Sequence, residues 1–252
     1  MQNQQKPFRL ITIPVSHYCE KVRWALDILK LPYIEEAHMP PFHRFATKKV
    51  GGKSVPVLVT EDEVFTDSTD ILKYLDSIAP NEAKQYPHKA EQNQEVEELE
   101  ELFDETLAPA IRHWGYFHVM NNSKLMQEKW CQNVPIVENL LFPLLFPPMR
   151  SISKKKYNIN AESAEQAYKE IKSIFEKVSR LLAGDRKYLV GDKISVADIA
   201  FASLGAPILS PEQHPTKSSN SQELPSKMLF VIKEFRKTPA GTFALNLYAN
   251  QR

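Results

Sequence analysis

The sequence has few cysteines and no long hydrophobic run. Cys19 and Cys131 are its only cysteines, too few for a disulfide framework, which argues for a reducing compartment. The chain has no uninterrupted stretch of about 18 apolar residues, so we expect no transmembrane helix. The opening residues, MQNQQKPFRL, lack the basic segment and apolar core of a secretory signal. We therefore expect a cytoplasmic protein.

An excess of either charge is also missing. The chain has 32 basic and 31 acidic residues, so no global field attracts nucleic acid or an anionic membrane, and we expect neither as a partner. The histidines do not pair at metal-ligand spacing, and we expect no metal site; those considered are His38, His43, His88, His118 and His214. With 42% hydrophobic residues, the 252-residue chain has the composition of an ordinary globular protein and is long enough for two small domains.

The first part of the chain alternates between strand and helix patterns. FRLITI, from Phe8, and YIEEAHM, from Tyr33, predict strands on either side of a helix that Pro32 ends. After an irregular loop, PPFHRFATKKVGGK, the segments SVPVLVT and EVFTD predict an antiparallel hairpin. Asp67 or Ser68 then caps a helix with one apolar face. The predicted element order is β-α-β-β-β-α.

Strand patterns end at the polar stretch NEAKQYPHKAEQNQ, and helical patterns continue from there to the C-terminus. We therefore place a boundary between a domain of residues 1–82 and an all-helical domain of residues 90–252. Ser195 and Asp198 form a capping-box pattern in ISVADIAFA, the best-specified helix start of the second domain. PPMRSISKKKYNIN and SPEQHPTKSSNSQELPS are rich in Pro, Ser, Asn and Lys and predict long, mobile connections.

Four segments, in this order, resemble motifs of the cytosolic glutathione S-transferases. SHYCEKVRWAL resembles the active-site segment of their serine-type and cysteine-type classes, and SVPVL resembles the strand entered through a cis-proline. DSTDILKYL resembles the acidic residue and serine that open a helix, and ISVADIAFA resembles the capping-box helix of the second domain. The resemblance implies a thioredoxin-like α/β domain followed by an all-α helical-bundle domain. It also implies glutathione as co-substrate, a small hydrophobic electrophile as substrate, a role in detoxification and a homodimer.

The resemblance gives Ser16 the role of activating the thiol of bound glutathione. A group at a helix N-terminus meets partial positive charge and unpaired backbone donors, which favour an anion. In a Cys-x-x-Cys redox site that anion is the protein's own thiolate, whereas Ser16 can only donate a hydrogen bond to the thiolate of glutathione. A plain helix cap is the alternative for Ser16. Cys19 is either a buried helix residue or a reactive thiol that forms a mixed disulfide with glutathione.

The resemblance also indicates which residues bind glutathione. A cis bond before Pro56 would turn the Val55 backbone toward the cysteinyl unit, and a trans bond is the alternative. The amide and hydroxyl of Ser68 suit the γ-glutamyl carboxylate and Asp67 suits its ammonium group, although both residues also suit simple helix capping. Lys53, on a Gly-Gly loop, reaches either the glycyl carboxylate or only solvent.

In this family the electrophile binds between the domains, against apolar residues of the second domain. The candidates in this chain are His113, Trp114 and Phe117, together with Tyr116. Aromatic residues at helical spacing also suit a hydrophobic core. The acidic run Glu95–Glu105 is either a solvated helix face or partly buried at a two-fold interface.

The resemblance therefore implies a glutathione transferase that acts on a hydrophobic electrophile or a peroxide. Two other functions stay open: glutathione-dependent thiol transfer through Cys19, and non-catalytic binding of an apolar ligand or a partner protein by the same fold. The set of Val55, Pro56, Asp67 and Ser68 argues against the non-catalytic function, since a pure scaffold needs no glutathione groove.

Overall fold

The computed structural model describes residues 6–184, 186–216 and 224–252. The first part of the chain forms a four-stranded sheet and three helices, which are β1 (Phe8–Thr12), α1 (His17–Ile28), β2 (Tyr33–Ala37), α2 (His43–Lys48), β3 (Val57–Val59), β4 (Val64–Phe65) and α3 (Ser68–Ile78). The strand order across the sheet is β2-β1-β3-β4. β1 pairs parallel with β2 and antiparallel with β3, and β3 pairs antiparallel with β4.

Both faces of this sheet are covered. Consecutive strand residues point to opposite faces, and the neighbours Leu10 and Ile11 of β1 are both fully buried. Leu10 belongs to the large core that includes α1 and α3, whereas Ile11 packs in a smaller cluster with Ala46 of α2 and Val57 of β3. The smaller cluster explains why α2 forms.

The expectation of an irregular loop before β3 is wrong in one part, since residues His43–Lys48 are the helix α2. This helix has only six residues and no side-chain hydrogen bond at its N-cap, Phe42. Neither a cap pattern nor a long apolar period marks it in the sequence. Its apolar contact with the sheet, through Ala46, decides its conformation.

The second part of the chain is helical throughout. Its elements are α4 (Ala90–Leu102), a π-helical turn (Phe103–Leu107), α5 (Ala108–Val119), α6 (Ser123–Trp130), α7 (Ile136–Lys156), α8 (Ala161–Leu181), α9 (Val196–Leu209), α10 (Ser226–Lys237) and α11 (Pro239–Gln251). A 3₁₀ turn, Asn81–Ala83, lies between α3 and α4. This architecture confirms the predicted fold class, and the domain limits at residues 82 and 90 stay a prediction.

Helix α9 lies at the centre of the second domain, and all of its residues except Pro207 are buried. The predicted capping box at its start is confirmed. The Asp198 carboxylate accepts hydrogen bonds from the backbone N–H of Ser195 at 2.7 Å and from that of Leu189 at 2.8 Å. A carboxylate that accepts from two backbone donors ties the loop before α9 to the helix.

The prediction of a mobile connection in PPMRSISKKKYNIN is wrong, because residues 147–156 are the second half of α7. A proline inside a helix leaves the carbonyl four residues earlier without its donor. For Pro143 that carbonyl belongs to Asn139, and the Nε2 of Gln127 donates to it at 3.2 Å. Phe142 and Phe146 are buried and stacked with ring centroids 4.8 Å apart. Tertiary packing therefore overrides the low helix propensity of this segment.

The second predicted connection, SPEQHPTKSSNSQELPS, is only partly described. Its residues 217–223 lie outside the described part of the chain. Before that gap, Ser210 ends α9 with a φ of 49°, in the left-handed region. Thr216 then returns to the first domain, where its hydroxyl donates to the carbonyl oxygen of Pro14 at 2.8 Å.

Candidate functional site

Three segments that the sequence singled out meet at one edge of the sheet. β1 and β4 both run antiparallel to β3, so their C-terminal ends lie at the same edge as the N-terminal end of β3. Ser16 follows β1, and Val55 and Pro56 precede β3. Asp67 and α3 follow β4. This edge therefore carries two helix N-termini and the start of one strand.

Ser16 is the N-cap of α1 and is half-buried. Its Oγ accepts a hydrogen bond from the backbone N–H of Cys19 at 3.4 Å, a long distance for a cap. Accepting uses a lone pair of the hydroxyl and leaves its proton available for a second hydrogen bond. The capping geometry is thus compatible with donation to an anion.

Cys19 does not reach this edge as an accessible thiol. It is fully buried in the core contact of α1. Burial raises the pKa of the Cys19 thiol, although the charge of Arg23 and the hydrogen bond with Ser16 act in the opposite direction. A buried thiol that stays protonated at neutral pH is a poor nucleophile.

His17 and Tyr18 follow Ser16 directly, and the side chains of both are engaged in packing contacts. The Tyr18 hydroxyl donates to the carbonyl oxygen of Asp104, in the π-helical turn, at 2.7 Å, and burial raises the pKa of Tyr18. His17 is buried, and burial together with the positive charge of Arg112 lowers its pKa to about 3. His17 is therefore neutral at physiological pH.

The peptide bond between Val55 and Pro56 is cis. The ladder between β1 and β3 ends at the pair of Ile11 and Val57, so Val55 lies beyond the paired part of β3. Lys53 is exposed on the preceding loop, where Gly51 has a φ of 84°. A position with that φ favours glycine.

Asp67 is the N-cap of α3, and Ser68 is the buried first residue of that helix. The Asp67 carboxylate accepts from the backbone N–H of Thr69 at 2.8 Å and from that of Asp70 at 3.3 Å. It accepts no hydrogen bond from the backbone N–H of Ser68, which is one of the first-turn donors that a helix leaves unpaired. Capping by Asp67 and anion binding by Ser68 are thus compatible.

A buried ionic network joins this edge to the second domain. The Lys21 ammonium of α1 lies 2.8 Å from the Glu100 carboxylate and 2.6 Å from the Asp104 carboxylate. The Thr69 hydroxyl of α3 lies 3.0 and 3.1 Å from the same two carboxylates and shares its single proton between them. Lys21 is fully buried. The N-terminal turns of α1 and α3 are therefore held against the same turn of the second domain.

The candidate residues of α5 differ in what they contact. Trp114 is buried, with its ring centroid 4.7 Å from that of His118. The Nε2 of His113 lies 2.8 Å from the hydroxyl of Ser163, in α8. Trp114 is thus engaged in packing within the second domain, whereas His113 and Phe117 are both half-buried, and the Phe117 ring lies edge-on to that of His118 with centroids 5.1 Å apart.

The sequence analysis missed Arg112, which the structure brings close to the start of α1. The guanidinium carbon of Arg112 lies 4.8 Å from the ring centroid of Tyr157. Its charge lowers the pKa of His17 and opposes the rise in the pKa of Tyr18. Arg112 therefore supplies positive charge to the residues that follow Ser16. No local pattern in APAIRHWGYFHV marks it, because the interaction joins two domains.

No group of three His, Cys, Asp or Glu side chains within residues 6–184, 186–216 and 224–252 could hold a metal ion. In the same ranges, no helix is both long and apolar enough to cross a membrane.

Two family models match the sequence, in the order of the two parts of the fold. The model of the glutathione S-transferase N-terminal domain matches residues 10–83, and that of the C-terminal domain matches residues 136–212. Together they cover more than half of the chain. The chain belongs to the cytosolic glutathione S-transferase superfamily. The first match includes the residues at the sheet edge of this superfamily member, which are Ser16, Val55, Pro56, Asp67 and Ser68.

Solved structures of other members share the fold over almost the whole chain. A glutathione S-transferase of Ceriporiopsis subvermispora in complex with glutathione is 16% identical, with a TM-score of 0.65 and coverage of 98% of both chains. Glutathione transferase GSTFuA3 from Phanerochaete chrysosporium is 18% identical, with a TM-score of 0.62 and coverage of 99% of this chain and 98% of that one. Ure2p5 from the same organism, cocrystallised with 1-(S-glutathionyl)-2,4-dinitrobenzene, is 20% identical, with a TM-score of 0.58 and coverage of 98% and 96%. No curated protein sequence matches the chain.

Proposed function

We propose that this protein is a glutathione transferase that binds glutathione at the edge formed by β1, β3 and β4. Ser16 then activates the glutathione thiol for attack on a hydrophobic electrophile or a peroxide. The observation that carries the proposal is the convergence of Ser16, Val55 and Ser68 at this edge. Two solved structures of the same fold contain glutathione or a glutathione conjugate, which supports the choice of ligand.

In this proposal the backbone and side chains of the edge recognise the tripeptide. The free amide of Ser68 donates to the γ-glutamyl carboxylate, as expected for an anion at a helix N-terminus. The Val55 backbone pairs with the cysteinyl unit as an added strand would. Asp67 faces the ammonium group, and Lys53 extends to the glycyl carboxylate. The charges of the ligand and of the edge are then complementary.

The chemistry in this proposal is thiolate stabilisation. The Ser16 hydroxyl donates to the glutathione sulfur, and the N-terminus of α1 and Arg112 add positive charge there. Lowering a thiol pKa by about two units requires about 3 kcal/mol, which is within the reach of one charge-assisted hydrogen bond and a helix terminus. The thiolate then forms a bond to the electrophilic carbon, and the leaving group departs with the bonding electrons. Arg112, whose charge reaches the two residues after Ser16, is the residue of α5 that such an electrophile would meet.

The first experiment is a glutathione titration followed by the ultraviolet absorbance of the thiolate at several pH values. We expect saturable thiolate absorbance with a thiol pKa below that of free glutathione. In Ser16→Ala, the thiol pKa should rise by about two units and turnover at neutral pH should fall about a hundredfold. Glutathione should still bind, because the peptide contacts are unchanged. Ser77→Ala removes an exposed hydroxyl of α3 and serves as the matched control.

Unchanged thiolate absorbance and turnover in Ser16→Ala would refute the role of Ser16. Thiol transfer through Cys19 predicts a mixed disulfide at that residue after treatment with glutathione disulfide, detectable by mass spectrometry. The burial of Cys19 and its raised pKa oppose this alternative. We expect Cys19→Ala to keep the turnover of the wild type.

A homodimer, a cytoplasmic location and a role in detoxification belong to the same proposal. Sedimentation equilibrium tests the homodimer directly. A monomer at the concentrations used for the turnover assay would refute that part and leave the chemistry of Ser16 unaffected.

A further inference from the structure

One face of α7 carries apolar side chains that point into solvent. Ile136 is 79% exposed, Leu140 is 75% exposed and Leu144 is 74% exposed. Val137 and Ile152, at 58% and 65%, continue the row. Val137, Leu140, Leu144 and Ile152 follow one another at helical spacing, so they share one side over about 22 Å of helix. We refer to this side as the outer face of α7.

The opposite side of α7 fixes the orientation of this face. Phe142 and Phe146 are buried in the core of the second domain. The Glu138 carboxylate, also buried, lies 2.5 Å from Nδ1 of His38 and accepts from the backbone N–H of Met39 at 2.9 Å. The helix cannot turn its outer face inward without breaking these contacts. A helix that is apolar all round is normally covered on every side, and the described chain covers only one.

The charges of α7 have one sign at its C-terminal end. Arg150, Lys154, Lys155 and Lys156 lie within two turns of each other. Lys154 donates to the side-chain oxygen of Asn121 at 2.8 Å, and Lys156 lies 5.2 Å from the ring centroid of Tyr157. Within the described part of the chain, none of the four forms an ion pair. The only acidic residue of α7 is the buried Glu138.

We propose that the outer face of α7 docks on a membrane surface that carries anionic lipid headgroups. The apolar row would enter the boundary between headgroups and acyl chains, and the basic end would meet the phosphate and carboxylate groups. The helix lies on the surface and does not span it, consistent with the absence of a spanning helix among the described residues. A second copy of the chain fits less well, because the same face of a partner offers no carboxylate to Lys154 or Lys155.

The expectation of no membrane partner rested on the net charge and on the lack of a long apolar run. Neither property addresses a helix that lies flat on a bilayer. Net charge does not reveal a local basic cluster, and the length of an apolar run does not reveal apolar residues spaced along one face of a helix. The inference is independent of the proposed chemistry of Ser16.

The test is flotation of the full chain with vesicles, either of phosphatidylcholine alone or of equimolar phosphatidylcholine and phosphatidylserine. We expect binding to the mixed vesicles that weakens as salt is added. Leu140→Ser with Leu144→Ser should reduce the partition coefficient about tenfold or more. Lys154→Glu with Lys155→Glu should reduce it about tenfold on mixed vesicles only. Circular dichroism confirms that each variant is folded.

Two control variants change equally exposed residues elsewhere. Phe230→Ser alters a side chain of α10 that is 65% exposed, and Lys172→Glu with Lys177→Glu reverses two exposed charges of α8. We expect both to bind mixed vesicles like the wild type. Failure of the wild type to float, or an equal loss in the controls, would overturn the proposal. A wild-type oligomer that Leu140→Ser with Leu144→Ser dissociates in the absence of lipid would overturn it in favour of contact between copies.

Discussion

His38 lies between two carboxylates from different parts of the fold. Its Nε2 is 3.0 Å from Glu36, which is in β2, and its Nδ1 is 2.5 Å from Glu138, which is in α7. Burial lowers the pKa of His38, but the hydrogen bonds and charges of Glu36 and Glu138 outweigh it, so the pKa is raised. The protonated form is therefore the one that holds α7 to the first domain most strongly.

This geometry predicts a pH-dependent stability. Because the folded-state pKa is above the unfolded value of about 6.5, the contribution is fully present below about pH 6.5 and is lost as pH rises through the folded-state pKa. We expect the contribution of His38, measured with denaturant as the difference in the free energy of unfolding between wild type and Glu138→Gln, to fall as the pH rises above about 6.5. The variant removes the buried charge and keeps the oxygen that Met39 donates to, and taking the difference removes the opposite effect of histidines with lowered pKa values, such as His17 and His43. An identical slope in wild type and variant would refute the assignment.

The residues of the candidate site differ in how far sequence could identify them. Ser16 and Asp67 stand at helix starts with cap patterns, and such patterns are local. Their placement at one sheet edge follows from strand pairing. Arg112 could not be found in this way, because its proximity to the start of α1 arises only when the two domains pack.

At the scale of elements, local chemistry and tertiary packing predict different parts of the fold. Ser195 and Asp198 are only three residues apart, so their capping box could be recognised in the sequence and located the start of α9. α2 has no cap signal, and α7 contains three prolines. Both form because of contacts with distant residues, so propensity alone predicted loops. The π-helical turn, Phe103–Leu107, likewise has no local signature.

Replacing either of two helical glycines by alanine is expected to change the free energy of unfolding, in opposite directions. A Cβ on Gly241, in α11, would lie 1.9 Å from the carbonyl oxygen of Phe235, at the end of α10. A Cβ on Gly115, in α5, would meet nothing within 4 Å. Gly241→Ala should lower the free energy of unfolding by about 2 kcal/mol or more, because backbone must move. Gly115→Ala should raise it by about 0.5 to 1 kcal/mol through helix propensity.

Denaturant unfolding of both variants against the wild type checks this pair. A stability loss in Gly115→Ala would mean that α5 needs flexibility or space at that position. A neutral Gly241→Ala would mean that the junction of α10 and α11 relaxes without strain.

At the scale of the whole molecule, the fully buried Lys21 is one of the ionic contacts between the domains. Lys21→Met would leave the carboxylates of Glu100 and Asp104 without their cation in a buried site. Removing one partner of a buried ion pair typically destabilises by about 3 to 5 kcal/mol. We expect a loss of that order in the free energy of unfolding. Lys73→Met breaks an exposed pair with Glu97 and should change stability by less than about 1 kcal/mol.

A loss in Lys21→Met no larger than that in Lys73→Met would contradict a structural role for the network. Thermal unfolding followed separately by tryptophan fluorescence and by circular dichroism adds a second readout. Coincident transitions are expected for the wild type, because the core is continuous between the two parts of the chain.

The same network restricts which halves of related proteins can be combined. Lys21 and Thr69 belong to one domain, and the carboxylates of Glu100 and Asp104 belong to the other. A chimera that joins this first domain to a second domain without acids at those two positions would bury an unpaired ammonium group at the base of the sheet edge. Recombination between members is therefore expected to preserve folding only when the second domain supplies acids at both positions.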